Sequence, residues 1–78
     1  MAIKNHHAVI QLKLLGFPLV NIRKSFHKLT GITHEEMARN VGTSRANLTN
    51  HIDGRRHNSE IQQKIADVYE VPVNELFE

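Results

Sequence analysis

Cysteine is absent from this 78-residue chain, which excludes a disulfide framework and any thiolate zinc site. One small core must hold the fold, and scaffolds of this size often gain stability by oligomerising, so a homodimer is expected. Long apolar runs are also missing. Leu14–Leu15 and Phe17 to Val20 are interrupted by Gly16 and Pro18, far short of the roughly 20 residues that span a bilayer. Met1 to Asn21 has neither the continuous apolar segment nor the small-residue cleavage site of a secretory signal, so a cytoplasmic chain without a membrane partner is expected.

Catalytic and metal-binding patterns are scarce as well. His34-Glu35 begins like the zinc-protease helix motif, but the second histidine would have to stand at position 38, which is alanine. His6 and His7 are adjacent and point to different sides of a helix, a poor start for a metal site. No serine lies in a nucleophile elbow, and no glycine-rich loop could cradle a nucleotide. Asn47-Leu48-Thr49 matches a glycosylation acceptor, which carries no weight without secretion. The expectation is a protein that is not an enzyme and has no metal or cofactor.

The charges that are present are unevenly placed. Residues 1–34 hold Lys4, Lys13, Arg23, Lys24 and Lys28 with no acid, whereas residues 57–78 hold Lys64 against Glu60, Asp67, Glu70, Glu75 and Glu78. The middle adds Arg39, Arg45, Arg55 and Arg56 against Glu35, Glu36 and Asp53, giving +2 overall. A basic body with an acidic C-terminal region suits a polyanion bound on one side.

Two prolines and four glycines separate segments whose apolar residues recur every three or four positions, so the fold is expected to be all-α. His7 to Leu15 is a first helix, closed by Gly16, with Val9, Ile10, Leu12 and Leu14 as an apolar stripe. Pro18 opens a second, in which Val20 to Leu29 places Ile22, Phe26 and Leu29 inward and Arg23, Lys24 and Lys28 off that face. Thr33 and Glu36 form a capping-box pattern for a helix from His34 to Val41, with Met37, Ala38 and Val41 inward. Gly42 then turns the chain, Thr43 is expected to cap, and a helix from Ser44 to Asp53 ends at Gly54. Asn58 or Ser59 caps a longer helix to Tyr69 with Ile61, Ile65, Ala66 and Val68 inward, and Pro72 starts a short one ending in Leu76 and Phe77.

Two short helices joined by a glycine-containing turn make a helix-turn-helix unit. With Leu48 inward, flanked by Ile52 and Ser44, the Ser44 to Asp53 helix exposes Thr43, Ala46, Asn50 and Asp53, with Asn47 and Thr49 at the edges and Arg45 on a flank. Arginine can pair with guanine O6 and N7, asparagine with adenine N6 and N7, and small apolar groups with the thymine methyl. Arg55, Arg56, His57 and Asn58 follow, positioned to hold the phosphate backbone.

The stretch from Gly31 to Arg56, continued by Ile65-Ala66 and by Val71 to Phe77, resembles the lambda-repressor-like helix-turn-helix family, which includes phage regulators. The resemblance covers roughly residues 20–77. It implies a compact five-helix DNA-binding domain over residues 18–78, with residues 1–17 as an extension carrying an additional N-terminal helix. It also implies that Ser44, Arg45, Ala46 and Asn50 face bases and that Thr43, Asn47 and Arg55 lie near phosphates. A Gln commonly begins the second helix of that domain and touches phosphate; here His34 stands there, which implies a neutral or weakly pH-sensitive contact. His51 replaces a bulky apolar residue of the family pattern and is expected to be partly buried. The extension is open to three roles: a packing helix, a dimer element, or an arm along the DNA backbone formed by Lys4 to His7.

The expected function is a dimeric, sequence-specific regulator of phage or mobile-element type that binds double-stranded DNA through His34, Thr43, Ser44, Arg45, Ala46, Asn47, Thr49, Asn50, Arg55 and Arg56. The main competing expectation is an antitoxin-type interaction module whose apolar stripe at Val9, Ile10, Leu12 and Leu14 holds a partner protein. Sequence-independent DNA packaging is a third.

Overall fold

The structure, a computed structural model, describes residues 5–77. Lys4, the start of the expected arm, lies outside them. Six helices follow one another and no strand occurs among the described residues: α1 His6–Leu14, α2 Leu19–Thr30, α3 His34–Val41, α4 Arg45–Ile52, α5 Ser59–Tyr69 and α6 Val73–Leu76.

Each boundary has a local cause. At the end of α1, Gly16 takes φ 91° while its N–H bonds Lys13 O and the Phe17 N–H bonds Leu12 O at 3.2 Å, so the last carbonyls are satisfied. Pro18, at φ −63°, sets the entry into α2. The expected capping box at α3 is present, with Thr33 Oγ1 accepting from the Glu36 N–H and Glu36 Oε1 from the Thr33 N–H, both at 3.1 Å. The cap of α4 is Ser44 rather than Thr43: Ser44 Oγ accepts the Asn47 N–H at 3.1 Å, because Ser44 is the last extended residue before the helix. Asn58 caps α5.

All six helices contribute to one core, in which Val9, Ile22, Met37, Leu48, Ile52, Ile65 and Leu76 are almost wholly enclosed. The inward faces of α2 and α5 differ from expectation. On α2 the buried arc runs through Ile22, Phe26, Arg23 and His27, which rotates it away from Leu29; that leucine is 80% exposed. On α5, Tyr69 joins Ile65 and Ala66 inside, and Val68 falls at the edge of the arc, exposed.

The stripe on α1 divides. Val9 is buried and Ile10 and Leu12 pack against the core, while Leu14 and Leu15 stand out at the α1–α2 corner beside the half-exposed Phe17. Folding therefore uses most of the apolar surface that suggested a partner. The start of α1 is tied to the end of α5 through Asn5, whose N–H bonds Glu70 O at 3.0 Å and whose Nδ2 bonds Tyr69 O at 2.8 Å. Lys13 on α1 meets Glu75 on α6 at 2.7 Å, and this pairing holds the Glu75 carboxyl below the usual carboxylate range.

Candidate nucleic-acid interface

Helices α3 and α4 pack on each other across the three residues Gly42, Thr43 and Ser44. Gly42 is the residue that allows so short a turn. Its φ of 80° lies in the left-handed region, and its N–H and that of Thr43 both return to Ala38 O at 2.9 Å. Leu48, His51 and Ile52 anchor the inner side of α4. Its outer side is thereby held in place.

That outer side carries a hollow of about 350 Å³ lined by Arg45, Ala46, Thr49 and Asn50. A second recess of about 500 Å³ lies between the starts of α3 and α4, lined by Thr33, His34, Glu35 and Arg45. Arg45 borders both. It is exposed and, like Arg55 and Arg56, makes no ion pair among the described residues, so all three guanidinium groups are available to an external anion.

The remaining polar groups are partly committed. Thr43 Oγ1 accepts from Asn47 Nδ2 at 2.7 Å, which leaves the Thr43 hydroxyl hydrogen and Asn47 Oδ1 for other partners. Ser44 spends one acceptor position on its cap and keeps its donor. His34 Nδ1 and Thr49 Oγ1 lie 2.9 Å apart, a direct tie between the first residue of α3 and the exposed side of α4. Among the sequence-predicted residues, His34, Arg45, Ala46, Thr49 and Asn50 line the two recesses, Thr43, Ser44 and Asn47 gather at the start of α4, and Arg55 and Arg56 lie beyond its end.

Glu35 is the discordant member. It faces the recess beside Arg45 and reaches Arg39 at 3.9 Å, with both side chains mostly exposed. A carboxylate there opposes any incoming phosphate, and exposed pairing to Arg39 offsets it only weakly.

Beneath the surface, His51 is buried and not merely half covered. Its Nε2 accepts the Asn58 N–H at 3.2 Å, so Nδ1 carries the proton and donates to Asn47 O at 2.8 Å. A histidine fits this apolar position because both ring nitrogens are satisfied, and it joins α4 to the cap of α5.

Arg23 is the residue that helical periodicity misplaced. Buried on α2, it donates from Nε to Ile52 O at 2.7 Å and from Nη1 to Leu76 O at 2.9 Å, with its guanidinium 4.9 Å from the Phe77 ring centroid. It therefore satisfies carbonyls at the C-terminal ends of both α4 and α6, where a cation is favoured. Burial lowers its proton affinity, opposed in part by the negative charge of Asp53. No sequence pattern distinguishes such an arginine from a solvated one, since its partners are backbone carbonyls 29 and 53 residues away.

Comparison with protein families, with characterised proteins and with solved structures gives no match to this chain.

Proposed function

We propose that this chain is a sequence-specific regulator that binds double-stranded DNA as a homodimer, with α3 and α4 forming a helix-turn-helix of lambda-repressor-like type and α4 entering the major groove. The observation that carries the reading is the outer side of α4, where Arg45, Ala46, Thr49 and Asn50 surround a hollow and Arg45 is unpaired. Such a surface matches base edges in hydrogen-bonding chemistry, and a helix of this size fits the groove. Arg55 and Arg56, exposed past the end of α4, suit the flanking phosphates. Regulation of phage or mobile-element genes is the role that the sequence resemblance to the lambda-repressor-like family suggests.

The homodimer reading rests on Leu14 and Leu15, 77% and 73% exposed at the α1–α2 corner. The longest dimension of the protein is 32 Å, so two copies side by side can address half-sites about 34 Å apart.

Selection from a random duplex pool, followed by measurement of affinity, is the decisive test. The expected result is an enriched palindrome for which Arg45→Ala costs about 1–3 kcal/mol and relaxes preference at one base pair. Arg55→Ala should weaken all duplexes alike and reduce the salt slope by about 1. Equal affinity for random duplexes would overturn the reading in favour of non-specific DNA packaging.

A further inference from the structure

Behind the α3–α4 surface, four side chains from four helices form a continuous polar chain through the core. Tyr69 Oη on α5 lies 3.0 Å from His27 Nδ1 on α2. The His27 ring meets the His34 ring of α3 edge to face, with centroids 4.4 Å apart and planes at 86°. His34 Nδ1 then reaches Thr49 Oγ1 of α4 at 2.9 Å. Tyr69 and His27 are buried; His34 and Thr49 are half-buried and border the two recesses.

The inner end of this chain is enclosed, and its middle holds an unpartnered polar atom. The Tyr69 phenol stays protonated, since burial raises its pKa far above the usual tyrosine range despite the nearby Arg23 charge. His27 Nε2 is buried with no hydrogen-bond partner, an uncommon condition for an enclosed ring nitrogen. The titratable groups facing His27 are His34 from α3 and Tyr69 from α5, with Arg23 one turn back on its own helix, and no carboxylate contributes. Burial, then the charge of His34, hold the His27 imidazole below the ordinary histidine value, against a smaller opposing effect of the backbone at Ile32. Two adjacent imidazoles at this distance cannot both be charged cheaply.

We propose that His27, seated on Tyr69, is a positioning residue that fixes the His34 ring against Thr49 and thereby couples the protonation of the core to the affinity of the α4 surface for DNA. The inference rests on the DNA-binding reading above. A phosphate near His34 favours the charged His34 ring, and that ring in turn disfavours a proton on His27. By reciprocity, a proton on His27 disfavours the phosphate. Acidification thus weakens binding through His27.

Two measurements on the full chain test this, using wild type, His27→Asn and Tyr69→Phe. The first contains no DNA: the histidine ring resonances and the Thr49 signals are followed by NMR between about pH 8 and about pH 5. In wild type, the His34 and Thr49 signals should respond to the titration of His27, and both variants should change that response while leaving the circular dichroism spectrum intact. The second measures affinity for the selected duplex over the same range. The ratio of wild-type to His27→Asn affinity should fall by about fivefold or more on acidification, the lower end of typical coupling, and Tyr69→Phe should shift the midpoint. An identical His34 titration in wild type and His27→Asn overturns the proposal, as does an affinity ratio that is independent of pH. Failure of the DNA reading itself appears separately, as the absence of any selected duplex while the NMR coupling persists.

Discussion

At the scale of single residues, Arg23 and His27 are polar groups in core positions, and each has a measurable consequence. Replacing Arg23 with Met keeps the stem and removes two charge-assisted bonds, so a loss of about 2–4 kcal/mol in urea unfolding is expected. A change under about 0.5 kcal/mol, the range of ordinary surface substitutions, would show that water replaces the guanidinium at those carbonyls. His27 is less able to hold a proton in the folded chain than in the unfolded one, for which the ordinary value is 6.5. Its contribution to stability is therefore fully present above that value and is lost as pH falls from it towards the depressed value of the fold. Thermal unfolding at about pH 7.5 and about pH 5 should show wild type losing more stability than His27→Asn; equal losses would remove His27 as the cause. Glu35 bears on binding instead. Glu35→Gln should tighten duplex binding and steepen its salt dependence, because one repulsive charge leaves the recess beside Arg45.

Among the secondary-structure elements, α3 and α4 form the candidate interface, and their ends decide their placement. Thr33→Ala should cost about 1 kcal/mol by removing one half of the capping box. Gly54, at φ 84° just past α4, would bring a Cβ within 3.3 Å of Arg23 Nη2. Gly54→Ala should accordingly cost about 1–2 kcal/mol, mostly from the left-handed backbone, as read by the shift in melting temperature. Sequence alone reveals the elements well where local chemistry sets them: the capping box of α3, the glycine after each of the first four helices, the Asn58 cap. It places the inner face of α3, where Met37, Ala38 and Val41 have no polar competitor, and that of α4 at Leu48 and Ile52, where the buried His51 joins them. Periodicity fails on α2, where a buried arginine and histidine rotate the buried arc and leave Leu29 outside. The shift from Thr43 to Ser44 as cap is another such case, because adjacent hydroxyl residues are equivalent until the backbone chooses between them. Of the lining of the two recesses, His34, Arg45, Ala46, Thr49 and Asn50 are legible in the sequence, whereas Thr33, Glu35 and the His34–Thr49 tie are not, as they depend on how α3 crosses α4.

For the whole molecule, charge asymmetry and the exposed corner matter most. The basic residues of the first part of the chain and the acids of the last are carried on one small body, so association with a polyanion should slow and weaken steeply as salt rises. Leu14→Ser combined with Leu15→Ser should convert a dimer to a monomer in sedimentation experiments while leaving the melting temperature nearly unchanged, because neither side chain is buried within the fold. Unchanged sedimentation would remove this corner as a contact between copies.

The Arg23 bonds join the last turn of α4 to Leu76 O, next to the Phe77 ring on which the same guanidinium rests. One side chain thus makes the exit of α4 and the last turn of α6 share a fastening. An affinity tag or fusion partner that lifts Leu76 and Phe77 from the body should therefore alter how α4 sits, whereas the same tag placed elsewhere on the surface should not. The choice of tag position becomes a probe of helix orientation, and C-terminal trimming a means of tuning it.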